Sequence, residues 1–232
     1  MELLLLSSSR TPAGYLTDYL ADIKALSAGV RRAVFVPFAA VALPWDEYRS
    51  KVGEALAPAG LSVEIFNSLD QLMQAELIIV GGGNTFQLLR ECRQRGLLEP
   101  IRKRVIAGKA SYLGWSAGAN LACPTIKTTN DMPIVDPGGL EALGLVGFQI
   151  NPHYLNVSLP GHHGETRNDR LAEFARVNPK LPVVALPEGA SLRVSGAEVE
   201  LRGPYPAVLF AGEEPPRELM PGTLPTRFGD SA

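Results

Sequence analysis

The run Gly114-Trp115-Ser116-Ala117-Gly118 sets a hydroxyl between two glycines. Ser116 could attack a substrate or merely fill a tight turn. A Ser hydroxyl is a weak nucleophile near neutral pH until a base takes its proton, so the rest of the chain must supply that base. There are 3 histidines. His153, in "QINPHYLN", directly follows an apolar stretch, whereas His162 and His163 lie in the glycine-bounded "LPGHHGETR", which reads as a solvated or lid-like loop. His153 is therefore the candidate base. A carboxylate must then hold the imidazole in the right tautomer. Glu188 in "ALPEGA" has the better placement, Asp131 in "TTNDMPIVD" remains a contender, and Asp136 stands behind both. An isolated loop acid is ordinarily just solvated, and sequence alone leaves the choice between Glu188 and Asp131 open.

Developing negative charge on a substrate carbonyl calls for preorganised donors. The Ala117 N–H, at the start of the small-residue helix "AGANLA", is one. The second set comes from "IIVGGGNTFQLL", where Gly81, Gly82 and Gly83 follow an apolar run and precede a helix. That cluster has neither the G-x-G-x-x-G spacing of a dinucleotide site nor the Lys of a P-loop. Backbone donors from Gly82 and Gly83 are the expected partners of Ala117 in an oxyanion hole.

These residues need a scaffold that brings several strand ends together. "LLLL" (3–6), "AVFVPF" (33–38), "LSVEIF" (61–66), "LIIV" (77–80) and "SYLGW" (111–115) read as strands buried on both faces. Residues 15–27, 45–57, 85–95 and 97–107 carry helix-spaced apolar residues between them. Such alternation predicts a doubly wound, mostly parallel α/β sheet whose crevice lies beyond the strands' carboxyl ends. "FQI" (148–150) and "VVALP" (183–187) add candidate strands around a helix at 165–177. Residues 191–210 read as short antiparallel edge strands, and the chain from about residue 213 reads as an irregular tail. One domain over residues 1–232 is the expected organisation.

Composition narrows the function classes. A net charge of −2 and a pI near 6.0 leave no basic footprint for nucleic acid or an anionic membrane. With 2 cysteines, Cys92 and Cys123, neither a disulfide scaffold nor a zinc cluster is expected. "MELLLL" is too short for a secretory core, and no apolar run reaches membrane-spanning length. A cytoplasmic protein with no metal and no cofactor is the expectation.

The order Ser116, His153, Glu188 departs from the α/β-hydrolase order of Ser, acid, His. It matches class I glutamine amidotransferase-like (flavodoxin-like) sheets, which carry a Cys nucleophile. Were Asp131 the acid, that argument would not apply. Across "MELLLLS", "VFVPFA", "WDEY", "IIVGGGNTFQLL", "GWSAGANLACPTI", "TTNDMPIVDP", "INPHY", "GHHGETR" and "LPEG", the chain resembles the peptidase E family of α-aspartyl dipeptidases, up to about residue 190. The resemblance implies a metal-free serine peptidase cleaving dipeptides with an amino-terminal aspartate. It implies Ser116 as nucleophile and His153 as base, and supports both Asp131 and Glu188 for the third role. It also implies Arg167 as the group that meets the substrate aspartate; Asn84, after the glycine cluster, is a further candidate substrate-binding residue. The expected partner is a small peptide, and the expected state a monomer or homodimer. Two rival readings are a cyanophycinase-like enzyme, which would want an acidic open groove, and a non-enzymatic amidotransferase-like binding domain.

Overall fold

A computed structural model describes residues 1–157, 161 and 164–224. In chain order the strands and helices are β1 (Glu2–Leu6), β2 (Arg10–Thr11), β3 (Gly14–Tyr15), α1 (Leu20–Leu26), β4 (Ala33–Val36), α2 (Trp45–Leu56), β5 (Val63–Ile65) and α3 (Leu69–Gln74). There follow β6 (Leu77–Val80), α4 (Thr85–Gln94), α5 (Leu98–Ile106), β7 (Ser111–Trp115), α6 (Ala117–Ala122), β8 (Gln149–Asn151) and α7 (Arg167–Val177). The carboxyl-terminal third adds β9 (Val183–Ala185), β10 (Ser191–Ser195), β11 (Glu198–Arg202), β12 (Ala207–Phe210), β13 (Arg217–Leu219) and β14 (Gly222–Leu224).

The main sheet has 8 strands in the order β14-β11-β10-β1-β7-β6-β4-β5. Neighbours from β1 through β7, β6 and β4 to β5 are parallel, whereas β10, β11 and β14 extend the β1 edge antiparallel. The mostly parallel α/β sheet with antiparallel carboxyl-terminal strands is thus present. Its apolar runs follow from burial on both faces, and strand periodicity sorts them by parity. Leu3, Leu5, Val34, Val36, Ile78, Val80 and Tyr112 join α4, α5 and α6 in one core. Leu4, Leu6, Phe35, Ile79, Leu113 and Trp115 join α1 and α2 in another.

The structure differs from the sequence expectation in three places. The strands expected at 148–150 and 183–187 do not widen the main sheet; β8 and β9 pair with β12 and β13 in a separate 4-stranded sheet. One face of that sheet meets the core around α6 through Ile150, Val184, Leu186 and Leu209, and its other face packs on α7. The tail expected to be irregular contains β13 and β14, which pair with β12 and β11. Edge pairing needs only a few backbone hydrogen bonds and leaves little apolar signature. Residues 15–27 are not one helix, because Gly14 and Tyr15 close a short hairpin and α1 begins only at Leu20.

The site depends on how chain segments enter and leave α4, α6 and α7. The Asn84 side chain caps α4 by accepting from Gln87 N–H at 3.0 Å. Thr166 and Asp169 form a reciprocal capping box at the start of α7.

Candidate active site

The carboxyl ends of β1, β6, β7 and β8 converge on one cleft of about 600 Å³, lined among others by Ser116, His153, Gly82, Gly83, Asn84 and Asp131. Ser116 links β7 to α6 with φ 52 and ψ −112, a backbone conformation that L-residues rarely adopt. Such strain costs on the order of 1–3 kcal/mol and persists only where the surroundings enforce it. They do so here. A Cβ on Gly118 would sit 2.2 Å from the Val80 carbonyl oxygen, and one on Gly114 would sit 2.6 Å from the Gly118 oxygen. The two motif glycines let β7, α6 and β6 approach closely enough to force the turn.

His153 also has positive φ, at 52. Its Nε2 lies 2.8 Å from Ser116 Oγ, and its Nδ1 lies 2.6 Å from Glu188 Oε1. A carboxylate only accepts, so Nδ1 carries the proton and donates to Glu188, leaving Nε2 to accept from the Ser116 hydroxyl. Glu188 is 61% exposed and His153 38% exposed, so this hydrogen-bonded chain opens to solvent at its acid end.

Asp131 lies elsewhere in the cleft wall. Its Oδ2 accepts from Thr85 N–H at 2.7 Å, Thr85 Oγ1 at 2.5 Å and Thr129 Oγ1 at 3.0 Å. That is the arrangement of a carboxylate seated at the start of α4, where the helix dipole favours negative charge. Between the two acids weighed for the third role, Glu188 is the one against His153. Asp136 accepts from Gly138 N–H in its own loop at 2.8 Å.

The glycine loop packs against the same wall. Gly83 has φ +141, and a Cβ there would lie 2.2 Å from the Ala39 carbonyl oxygen. Gly81 N–H donates to Val36 O and Asn84 N–H to Ala39 O, while Gly82 and Gly83 N–H groups take no partner among the described residues. Tyr48 Oη donates to Gly82 O at 3.1 Å and receives Trp115 Nε1–H at 3.1 Å. Since the peptide is planar and trans, this directs the Gly83 N–H away from Tyr48. The Ala117 N–H, first in α6, has no intrahelical acceptor.

Arg167, the first residue of α7, does not line the cleft itself. Its Nη1 donates to Asn130 Oδ1 and to Asn151 Oδ1, the latter at 3.4 Å. Asn130 in turn donates to the Pro152 carbonyl at 2.7 Å, next to His153. Arg167 forms no ion pair among the described residues. Burial first, and then the Arg170 charge, brings its guanidinium below the usual value. The Asn84 side chain has both ends engaged, its Oδ1 in the α4 cap and its Nδ2 donating to Met132 O at 2.9 Å. His162 and His163 lie outside the described residues.

Ser7 was missed by the sequence reading. Buried at the end of β1, its Oγ accepts from His153 N–H at 2.8 Å and donates to Leu186 O at 2.6 Å. One hydroxyl thereby ties the strained backbone of His153 to the segment that carries Glu188. A Ser after "LLLL" offers no sequence signal for this role, because its partners are distant along the chain. Among the described residues, no group of three or more His, Cys, Asp or Glu is arranged to hold a metal ion, and no helix is long and apolar enough to cross a membrane.

Comparison with known proteins agrees with this architecture. A family model for Peptidase family S51 matches residues 3–202. Peptidase E of Salmonella typhimurium is 54% identical over 220 residues, covering 92% of this chain and 96% of that protein. Peptidase E of Salmonella arizonae is 53% identical with the same coverage. A solved structure from Listeria monocytogenes EGD-e superimposes with a TM-score of 0.66 at 25% identity, covering 88% of this chain and 98% of that one. A peptidase from an acI-B1 Actinobacterium shares the fold with a TM-score of 0.64 at 16% identity, covering 96% of each chain. On the family match and the Salmonella identities together, the chain belongs to peptidase family S51, a family of serine-type dipeptidases.

Proposed function

We propose that the protein hydrolyses dipeptides with an amino-terminal aspartate, with Ser116 as nucleophile, His153 as general base and acid, and Glu188 as the orienting carboxylate. The observation that carries this reading is the unbroken chain from Ser116 Oγ through His153 to Glu188, at 2.8 and 2.6 Å. Ser116 Oγ attacks the carbonyl carbon of the substrate aspartate as its proton passes to His153 Nε2. The oxyanion is held by the N–H groups of Ala117 and of the Gly82–Gly83 segment, donors that cost no reorganisation because their loops are locked by packing. The imidazolium formed is stabilised by Glu188 and protonates the departing amine. Water, deprotonated by the same imidazole, then opens the aspartyl ester and frees Ser116.

The aspartate preference is assigned to Arg167. It is a half-buried guanidinium without a carboxylate partner, one asparagine removed from the backbone that carries His153. A substrate β-carboxylate would supply the missing anion, and a guanidinium fork can bind it with two parallel hydrogen bonds. Asp131 and Asn84 act in this reading by shaping the cleft rim around α4. The test is a panel of Asp-Leu, Glu-Leu, Ala-Leu and isoaspartyl-Leu. Selective cleavage of Asp-Leu is the expected outcome, since a site built around a buried polar partner can reject analogues by about 10⁴-fold. Comparable rates on Ala-Leu would refute the assignment of specificity.

A further inference from the structure

We infer that Arg10 and Lys51 bind the free α-carboxylate of the leaving residue, so that the cleft selects dipeptides by their carboxyl end. This inference rests on the aspartyl-dipeptide reading above and adds a second recognition point to it. Arg10 sits on the β2–β3 hairpin and Lys51 on α2, and both line the cleft that contains Ser116 and His153. Lys51 Nζ lies 4.3 Å from the centroid of the Tyr15 ring. Tyr15 stands edge-on to Trp115, with centroids 6.5 Å apart, and Trp115 immediately precedes the nucleophile. The cation is thus fixed on the wall that runs from Ser116 outward.

Neither side chain forms an ion pair among the described residues. Both cations line one cleft, and burial first, then the positive charge of Arg10, lowers the pKa of Lys51. Asp131, the acid lining the same cleft, is committed to Thr85 and Thr129. Two like charges with no protein anion to neutralise them form a seat for an external carboxylate. A dipeptide beginning with aspartate offers two carboxylates, one on each side of the scissile bond. The β-carboxylate is assigned to Arg167, beyond Asn130; the α-carboxylate of the leaving residue remains for Arg10 and Lys51.

Chain length follows from geometry. Each added residue carries the terminal carboxylate about 3.5 Å further along an extended chain. A tripeptide would therefore present a neutral amide to the two cations, and an amide cannot discharge them.

The experiment compares kcat and KM for Asp-Leu, Asp-Leu-amide and Asp-Leu-Leu with the wild-type protein, Arg10→Gln, Lys51→Met and the double variant. Wild type should favour Asp-Leu over its amide by about tenfold or more in kcat/KM, the effect of one charge-assisted hydrogen bond. Each single variant should raise KM for Asp-Leu with a smaller change in kcat, and the double variant should bring the acid-to-amide ratio close to one. Turnover of the amide by the double variant reports that it is folded. Equal losses on acid and amide, or a wild type indifferent to amidation, would overturn the inference while leaving the aspartyl-dipeptidase reading intact. A wild type that cleaves none of the three peptides would overturn both.

Discussion

Exchanging the charge on each of the two acids separates their roles. In Glu188→Gln the side chain keeps its shape but loses the charge that stabilises the imidazolium. The hydrogen bond is short, at 2.6 Å, yet Glu188 is 61% exposed, so water screens part of its field. A charge-assisted hydrogen bond is worth about 1.5–3 kcal/mol, which sets a loss of about 10- to 100-fold in kcat. That is smaller than the roughly 10⁴-fold loss known where the triad acid is buried. KM should change little, because the interaction strengthens only as charge develops on His153. Asp131→Asn should do something different. Its Oδ2 accepts three hydrogen bonds at the start of α4, so weakening them should cost about 1–3 kcal/mol of stability. For a chain of this size that lowers Tm by about 2–10 °C. The assay is steady-state hydrolysis of Asp-Leu alongside thermal denaturation. If Asp131→Asn loses orders of magnitude in kcat at unchanged Tm while Glu188→Gln keeps nearly full turnover, the assignment of the third role is refuted.

Other substitutions probe the supports of the site. Ser7→Ala strands the His153 N–H and the Leu186 carbonyl, and should lower Tm by about 3–10 °C and kcat by about tenfold or more; unchanged kinetics would show that the His153 backbone holds its position without Ser7. Burial pushes the thiols of Cys92 and Cys123 up to about 12, so both stay protonated at neutral pH and iodoacetamide should label them only after unfolding; rapid labelling of the native protein would contradict their burial. Hydrogen bonds from the Thr166 hydroxyl and backbone hold the Asp169 carboxyl below its ordinary range. Its capping contribution is therefore present above the unfolded carboxylate pKa and lost as pH falls through the lower folded value. The Tm advantage of wild type over Asp169→Asn should accordingly shrink between about pH 5 and 3, and an advantage that grows on acidification would refute the capping role.

Burial explains which parts of the fold could be read from sequence. Strands enclosed by helices on both faces must be apolar throughout, so "LIIV" and "SYLGW" announce β6 and β7 over their full lengths. Edge strands β13 and β14 are held mainly by backbone pairing, and "REL" and "GTL" carry no comparable pattern. The separation of β8 and β9 into a second sheet was illegible for a different reason. Both sheets bury apolar strands, and sequence alone does not say which neighbour a strand pairs with. At the site, Ser116, His153 and Glu188 could be singled out because each lies just beyond a strand end, Ser116 between β7 and α6, His153 after β8 and Glu188 after β9. Ser7 and Tyr48 were not, since their contacts to His153 and Gly82 join segments far apart in the chain. Asn84, expected at the substrate, lines the cleft, and its amide also caps α4 and donates to Met132 O, a use that the helix-start position of Asn could have suggested.

The central claim is that Ser116 carries the chemistry, and the release of leucine from Asp-Leu by Ser116→Ala tests it most directly. With folding verified by circular dichroism, the account predicts a fall of about 10⁴-fold or more in kcat, because His153 and Glu188 have no function without the hydroxyl they activate. Turnover within tenfold of wild type would contradict it.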